Sequence, residues 1–151
     1  MSIQHPPAFE TEALLVEEFV SCLETGRTTF GRVQLTTEWN HRSGFVDVLA
    51  RDARGRLIAF EAKLTDWRRA YHQAYRNTAY ADRAYILLPD GAARRALRHR
   101  TEFEMRGIGL CAMQADGVEV LIEATDQDAL VKWLRAKAHD YFDAPDERAG
   151  R

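Results

Sequence analysis

Cysteine is scarce in this chain: there are two, Cys22 and Cys111, far apart in sequence, outside any metal-ligand spacing and with no secretory signal ahead of them. A disulfide-stapled fold is set aside on that ground, and free thiols in a reducing cytosol are the expectation. No apolar run approaches the roughly 20 residues that a helical membrane span requires. Also missing are a Gly-rich phosphate loop, a Cys/His zinc pattern, a Gly-x-Ser-x-Gly elbow and any internal repeat. Charge of one sign is in short supply as well. The formal net charge is −2, which gives no whole-protein basic footprint and counts against tight nonspecific binding of nucleic acid. A carboxylate-rich site lowers that total by itself, so local basic patches are not excluded.

What is present is the material of one domain. The 151 residues are 46% hydrophobic and 29% charged, enough apolar content for a core at this size. Residues 1–9, with His5-Pro6-Pro7, read as an exposed lead-in, residues 10–143 as a single domain, and residues 144–151 as a polar, mobile tail.

The most informative stretch is residues 44–63. Asp52 and Gly55 are the residue types that open and close a tight turn, so a β-hairpin is expected there. Along its second strand Ile58, Phe60, Ala62 and Leu64 alternate with Leu57, Ala59, Glu61 and Lys63. Both faces are largely apolar, as in an interior strand. Two opposite charges, Glu61 and Lys63, then end a strand that otherwise reads as buried, and Asp47 interrupts the strand before it. Buried charge is costly unless it is paired or binds a metal. Two carboxylates on adjacent strands, with a backbone carbonyl beside Glu61, make an oxygen-donor set suited to a hard divalent cation. Lys63, one pleat away, places an ammonium beside a water or a phosphate. Such a layout suits phosphodiester hydrolysis. The plainer alternative is a structural ion pair at a sheet edge.

Asp47, followed by Glu61-Ala62-Lys63 at the end of the next strand, resembles the signature of the PD-(D/E)XK nuclease superfamily. The run Arg69-Ala70-Tyr71-His72-Gln73-Ala74-Tyr75-Arg76-Asn77 places a glutamine where many members carry one, and residues 81–89 resemble the next core strand. The likeness covers residues 10–89 in element order; Val46 stands where the motif has proline. This resemblance implies an α/β domain of restriction-endonuclease-like type, a central mixed β-sheet flanked by α-helices. It implies a Mg²⁺- or Mn²⁺-dependent endo- or exonuclease that hydrolyses DNA in repair, restriction or defence. Asp47 and Glu61 would hold the metal, Lys63 would orient or deprotonate the attacking water, and Gln73 would position Lys63 or the water. Glu12, on the first helix, is the candidate for an additional metal or water contact. The rival is a catalytically inactive domain on the same scaffold that binds nucleic acid or a protein partner. A homodimer follows only by analogy with enzymes that cut both strands. RNA stays open as a substrate, although no RNA-recognition motif and no aromatic stacking platform is evident.

Around this centre, periodicity supplies the other elements. A helix starts near Thr11, runs to about Glu24 and stops at Gly26, with Leu15, Val16, Phe19, Val20 and Leu23 as its apolar stripe and Glu12 near the stripe's centre. Residues 32–39 alternate as a strand, and residues 40–44 form a polar loop from which His41 and Arg42 can reach a phosphate. Residues 66–79 predict a helix that buries Trp67, Ala70, Tyr71, Ala74 and Thr78. Arg69, Gln73 and Arg76 follow one edge of that stripe, and the two arginines with Arg42 are the candidate nucleic-acid contacts. A strand at 84–88, a helix carrying Arg94, Arg95, Arg98 and Arg100, and a hairpin of residues 108–113 and 118–123 follow. The last helix is expected from Thr125 or Asp126, with Leu130, Trp133, Leu134 and Tyr141 on its packing face.

Overall fold

The computed structural model describes residues 9–144. His5-Pro6-Pro7 and residues 145–151 of the expected tail lie outside the described residues. Helix α1 (Glu12–Glu24) is followed by strands β1 (Val33–Asn40), β2 (Phe45–Asp52) and β3 (Leu57–Ala62). Helix α2 (Trp67–Asn77), strand β4 (Arg83–Pro89) and helix α3 (Asp90–Ala96) come next. A 3-10 turn (Leu97–His99) leads to α4 (Arg100–Arg106), β5 (Gly109–Gln114), β6 (Gly117–Ile122) and α5 (Lys132–Asp143). The strands form one six-stranded sheet in sequence order. β3, β4 and β5 run parallel, while β1, β2 and β6 are joined to their neighbours antiparallel. The expected class, α/β with a mixed sheet flanked by helices, is the one observed.

Local chemistry accounts for the boundaries. The Thr11 hydroxyl accepts the Leu14 N–H at the start of α1, and the Asp66 carboxylate accepts the Arg69 N–H at the start of α2, each satisfying a helical donor that has no partner within the helix. In the β2–β3 turn the Gly55 N–H donates to the Asp52 carbonyl at 2.9 Å, and the Asp52 carboxylate takes the N–H groups of Arg54 and Arg56. That turn sets the register Leu49↔Ala59 and Val48↔Phe60.

The sheet is covered on both sides. α1 lays Leu15, Phe19, Cys22 and Leu23 on a face made by Val48, Ala50, Ile58, Phe60, Tyr85 and Leu87. On the other face α2 and α3 pack against Ile86, Leu88, Leu110 and Ala112, and α5 packs Leu134 and Ala138 against Leu49, Leu57 and Ala59. Every residue of β3 is buried, as its two apolar faces predicted. Full burial of each Leu, Ile or Phe contributes about 1.5–3 kcal/mol.

Three expectations change. α5 begins at Lys132, not at Thr125 or Asp126, because the backbone of the preceding segment bonds to neighbouring loops: Thr125 N–H to the Gly107 carbonyl, Gln127 N–H to that of Asp82, Val131 N–H to that of Ala79. Leu130 and Trp133 are consequently 87% and 58% exposed rather than packed. The arginine-rich helix is broken by the 3-10 turn, and Arg94 and Arg100 are engaged with Glu119 and with the Leu121 carbonyl. On α2 it is Asn77 that is buried, while Thr78 forms the C-cap.

Candidate active site

Ladder pairing between β2 and β3 ends at Val48 and Phe60, whereas β3 stays paired with β4 out to Ala62 and Leu87. The two hairpin strands therefore splay at one end, and Asp47 and Glu61 lie in the gap. The Ala62 N–H, which has lost its backbone acceptor, donates instead to Asp47 Oδ2 at 2.8 Å. Glu61 is 2% exposed and receives the Asn77 Nδ2 amide on Oε2 at 2.8 Å. Asn77, itself fully buried, accepts the Tyr80 hydroxyl on Oδ1 at 3.2 Å.

A backbone irregularity sits beside this gap. Side chains two apart on a strand share a face, yet Val46 packs with the α5 cluster and Val48 with the α1 cluster. The reversal falls at Asp47. Across from it on β1, between the pairs Thr37↔Val48 and Trp39↔Val46, Glu38 takes φ 52°, a left-handed conformation uncommon for a residue with a Cβ. A left-handed residue and a reversal of side-chain alternation thus sit beside the carboxylates, as strained backbone often does at functional sites.

Electrostatics mark the same pair. Burial pushes the Glu61 carboxyl up to about 8, opposed by the Asn77 hydrogen bond and reinforced by the Asp47 charge. Burial raises Asp47 as well, against the Ala62 N–H, a hydrogen bond from Glu61 and the Lys63 charge, which lower it. Burial and the mutual repulsion of the two carboxyl groups thus favour a protonated Glu61 hydrogen-bonded to Asp47. Two facing carboxyl groups that resist double ionisation favour either a shared proton or a cation. Lys63 does not neutralise them directly. Its Nζ lies 3.4 Å from Glu12 Oε1, with the lysine side chain 18% exposed and the glutamate side chain 45%. Glu12, expected from its place on the α1 stripe to point inward, is instead about half exposed and is tied to the lysine.

The residues fit a divalent ion of modest protein coordination. Among the described residues no group of three His, Cys, Asp or Glu side chains could hold a metal ion; a divalent ion here would have Asp47, Glu61 and the adjoining backbone carbonyl as its protein donors, and Glu12, expected as a further metal contact, does not join them. Mg²⁺ is commonly held by one or two carboxylates while keeping several waters. Gln73 Oε1 is buried without a hydrogen-bond donor, and such orphaned acceptors are rare unless something else binds there. An open groove of about 620 Å³ between α1 and the first two strands reaches Asp47, lined by Glu12, Val16, Val20 and Glu38 among others.

The candidate nucleic-acid contacts divide. Arg69 and Arg76 are exposed on α2, the helix that presents Asn77 to Glu61. Arg42 is exposed in the β1–β2 turn, held by an Asn40 Oδ1 bond to its N–H and with its guanidinium 5.7 Å from the Trp133 ring centroid. His41 is not the free loop histidine that the sequence presents: it is 8% exposed and stacks on Tyr80 at 5.7 Å between centroids. Asn77, Tyr80 and Glu38 did not stand out in the sequence. Only Asn77 left a signal, a polar residue four positions after Gln73 on the side of α2 that carries Ala70 and Ala74.

Two solved structures share this architecture. A protein of unknown function from Silicibacter pomeroyi aligns over 93% of this chain and 95% of its own, with TM-score 0.55 and 15% identity. A repair endonuclease from Pyrococcus abyssi aligns over 72% of this chain with TM-score 0.51 and 20% identity. The fold is one that a nuclease uses. The alignment spans 50% of the endonuclease's length, so the likeness concerns one part of that protein. No protein-family model matches the chain, and no curated protein matches it in sequence.

Proposed function

We propose that this chain is a divalent-metal-dependent nuclease of PD-(D/E)XK type that hydrolyses DNA phosphodiester bonds. The observation that carries the reading is the facing Asp47–Glu61 pair at the splayed end of the hairpin, with the Lys63 charge near enough to act on both carboxyl groups. Asp47 and Glu61 bind Mg²⁺ or Mn²⁺, and Glu12 contributes through water. A cation of that kind supplies Lewis-acid stabilisation of charge on the transferring phosphorus and makes water a better nucleophile. Asn77 holds one Glu61 oxygen and Asp47 is hydrogen-bonded to the same carboxyl group, so the group is oriented before any ligand arrives. Lys63 orients the attacking water and stabilises developing negative charge, and Gln73 accepts a hydrogen bond from that water or from the Lys63 ammonium. The endonuclease fold of a structural neighbour supports the assignment.

The test is cleavage of linear, nicked, flapped and single-stranded DNA with Mg²⁺ or Mn²⁺ by wild type, Asp47→Ala and Lys63→Ala. Loss of cutting by at least about a hundredfold in both variants is expected, with unchanged circular dichroism. A Lys63→Ala protein that cuts at the wild-type rate overturns the assignment. Failure of the wild type to bind metal in calorimetry favours the inactive scaffold, a reading to which the direct Lys63–Glu12 ion pair lends its one point of support.

A further inference from the structure

Glu61 takes a hydrogen bond from an amide, and an amide side chain has two ends of nearly equal size, one that donates and one that accepts. Only the donating end suits a carboxylate that is to bind a cation. Which end turns towards Glu61 is decided on the other side of Asn77. There the Tyr80 hydroxyl donates to Asn77 Oδ1 at 3.2 Å, while Asn77 Nδ2 donates to Glu61 Oε2 at 2.8 Å. Burial holds the Tyr80 phenol above its ordinary value, so it stays an O–H donor at neutral pH. With the amide oxygen engaged in this way, the NH2 group is the end left for Glu61.

The ring that carries the hydroxyl is fixed by its surroundings. Tyr80 is 1% exposed and Asn77 0%, so water does not substitute for either partner. His41 stacks on the ring with centroids 5.7 Å apart and planes 22° apart, and Trp39 lies 5.4 Å from it. Both come from the β1–β2 hairpin, whose loop is closed by the His41 N–H donating to the Gly44 carbonyl at 3.0 Å. The main chain adds a second tie to Asn77. In the turn that leaves α2, the Tyr80 and Ala81 N–H groups both donate to the Asn77 carbonyl, at 3.2 and 2.9 Å. Apolar packing alone does not call for the hydroxyl, since phenylalanine fills the same space. Its one recorded polar contact is with the side chain that holds Glu61.

We propose that Tyr80 is a positioning residue of the candidate site: its hydroxyl fixes which end of the Asn77 amide faces Glu61, and so keeps that carboxylate oriented as a metal ligand. The effect on metal rests on the nuclease reading, whereas the orientation of the amide does not.

Two measurements test it, the Asn77 side-chain amide signals in proton–nitrogen NMR in EDTA, identified by their loss in Asn77→Leu, and Mn²⁺ binding by calorimetry. In Tyr80→Phe the amide signals shift and exchange with water about 5-fold faster, and Mn²⁺ affinity falls by about 5-fold, the scale of one neutral hydrogen bond. Asn77→Leu, which removes the contact to the ligand itself, weakens Mn²⁺ binding by about 10- to 100-fold. Leu134→Ala is the control for a merely structural role, because Leu134 packs in the same core cluster as Tyr80. It lowers the denaturation midpoint and leaves Mn²⁺ affinity and the amide signals as in wild type. Mn²⁺ affinity unchanged in Tyr80→Phe overturns the proposal, and so does an equal loss in Leu134→Ala, which would make Tyr80 part of the packing only. If wild type cuts DNA and binds Mn²⁺ while Tyr80→Phe matches it with unshifted amide signals, the nuclease reading stands and the role of Tyr80 fails. If wild type binds no metal, the nuclease reading fails, and the amide signals alone decide: a shift in Tyr80→Phe keeps the orientation by Tyr80, and no shift overturns it.

Discussion

Glu61 is a carboxylic acid with no room for its charge. It is buried, faces Asp47, and has one hydrogen-bond donor in Asn77. With its carboxyl pushed up to about 8 from the ordinary 4.5, the folded protein keeps a proton that the unfolded chain releases above the ordinary value. The sign follows from linkage: the contribution to stability is complete below about pH 4.5 and is lost as pH rises through the folded pKa near 8. Metal-free wild type is therefore expected to lose stability with pH across that window, by at most about 1.4 kcal/mol per pH unit. Glu61→Gln, which cannot ionise and retains an oxygen for Asn77, flattens the slope. Urea unfolding in EDTA at several pH values measures it; equal slopes in the two proteins would show that the pair does not hold the proton.

At the scale of an element, β1 and β2 are bent to suit the carboxylates. Glu38 is exposed on a strand, a position where β-propensity favours valine over glutamate. Its φ of 52° reverses that expectation, because a β-branched side chain tolerates left-handed backbone least. Glu38→Val should destabilise the protein by about 1 kcal/mol or more, read as a lower denaturation midpoint at unchanged m. Stabilisation by this change would mean that the bend is not a fixed feature of β1. The bend also explains why the hairpin register alone does not locate Asp47: regular alternation carries Val46 and Val48 to one face, and the structure carries them to two.

For the whole molecule, much of the charge that nearly cancels in the sequence also cancels locally in ion pairs, but the α1 groove is one-signed. Acidic side chains line the α1 groove, while Arg69 and Arg76 are exposed on α2, so a net charge of −2 says little about what either surface attracts. On the proposed function, a cation bound at Asp47 and Glu61 would couple the metal to folding. At a Mg²⁺ concentration about 100 times Kd the native state gains about 2.7 kcal/mol, which for a domain of this size raises Tm by roughly 5–10 °C. The gain should be larger near pH 8 than near pH 6, since the metal must displace the proton that Glu61 holds. Scanning calorimetry with and without Mg²⁺ measures this, and Asp47→Ala should abolish it. An equal rise in that variant would place the cation elsewhere.

Local chemistry was enough for the sequence to determine α1 with its Thr11 cap, the Asp52–Gly55 turn, the interior character of β3, and the odd placement of Asp47, Glu61 and Lys63 at a strand end. Each depends on residues a few positions apart, whose turn chemistry and periodicity act before the chain packs. Tertiary structure alone decided that Asn77 rather than Thr78 turns inward to hold Glu61, that His41 is buried against Tyr80, and that Lys63 pairs with Glu12. It also decided that residues 123–131 bond to distant loops rather than forming the first turns of α5, which leaves Trp133 in solvent. These outcomes turn on contacts between elements remote in sequence, where a small rotation of a helix or a single strained φ changes which side chain meets which, and nothing in the local pattern of residues encodes that rotation.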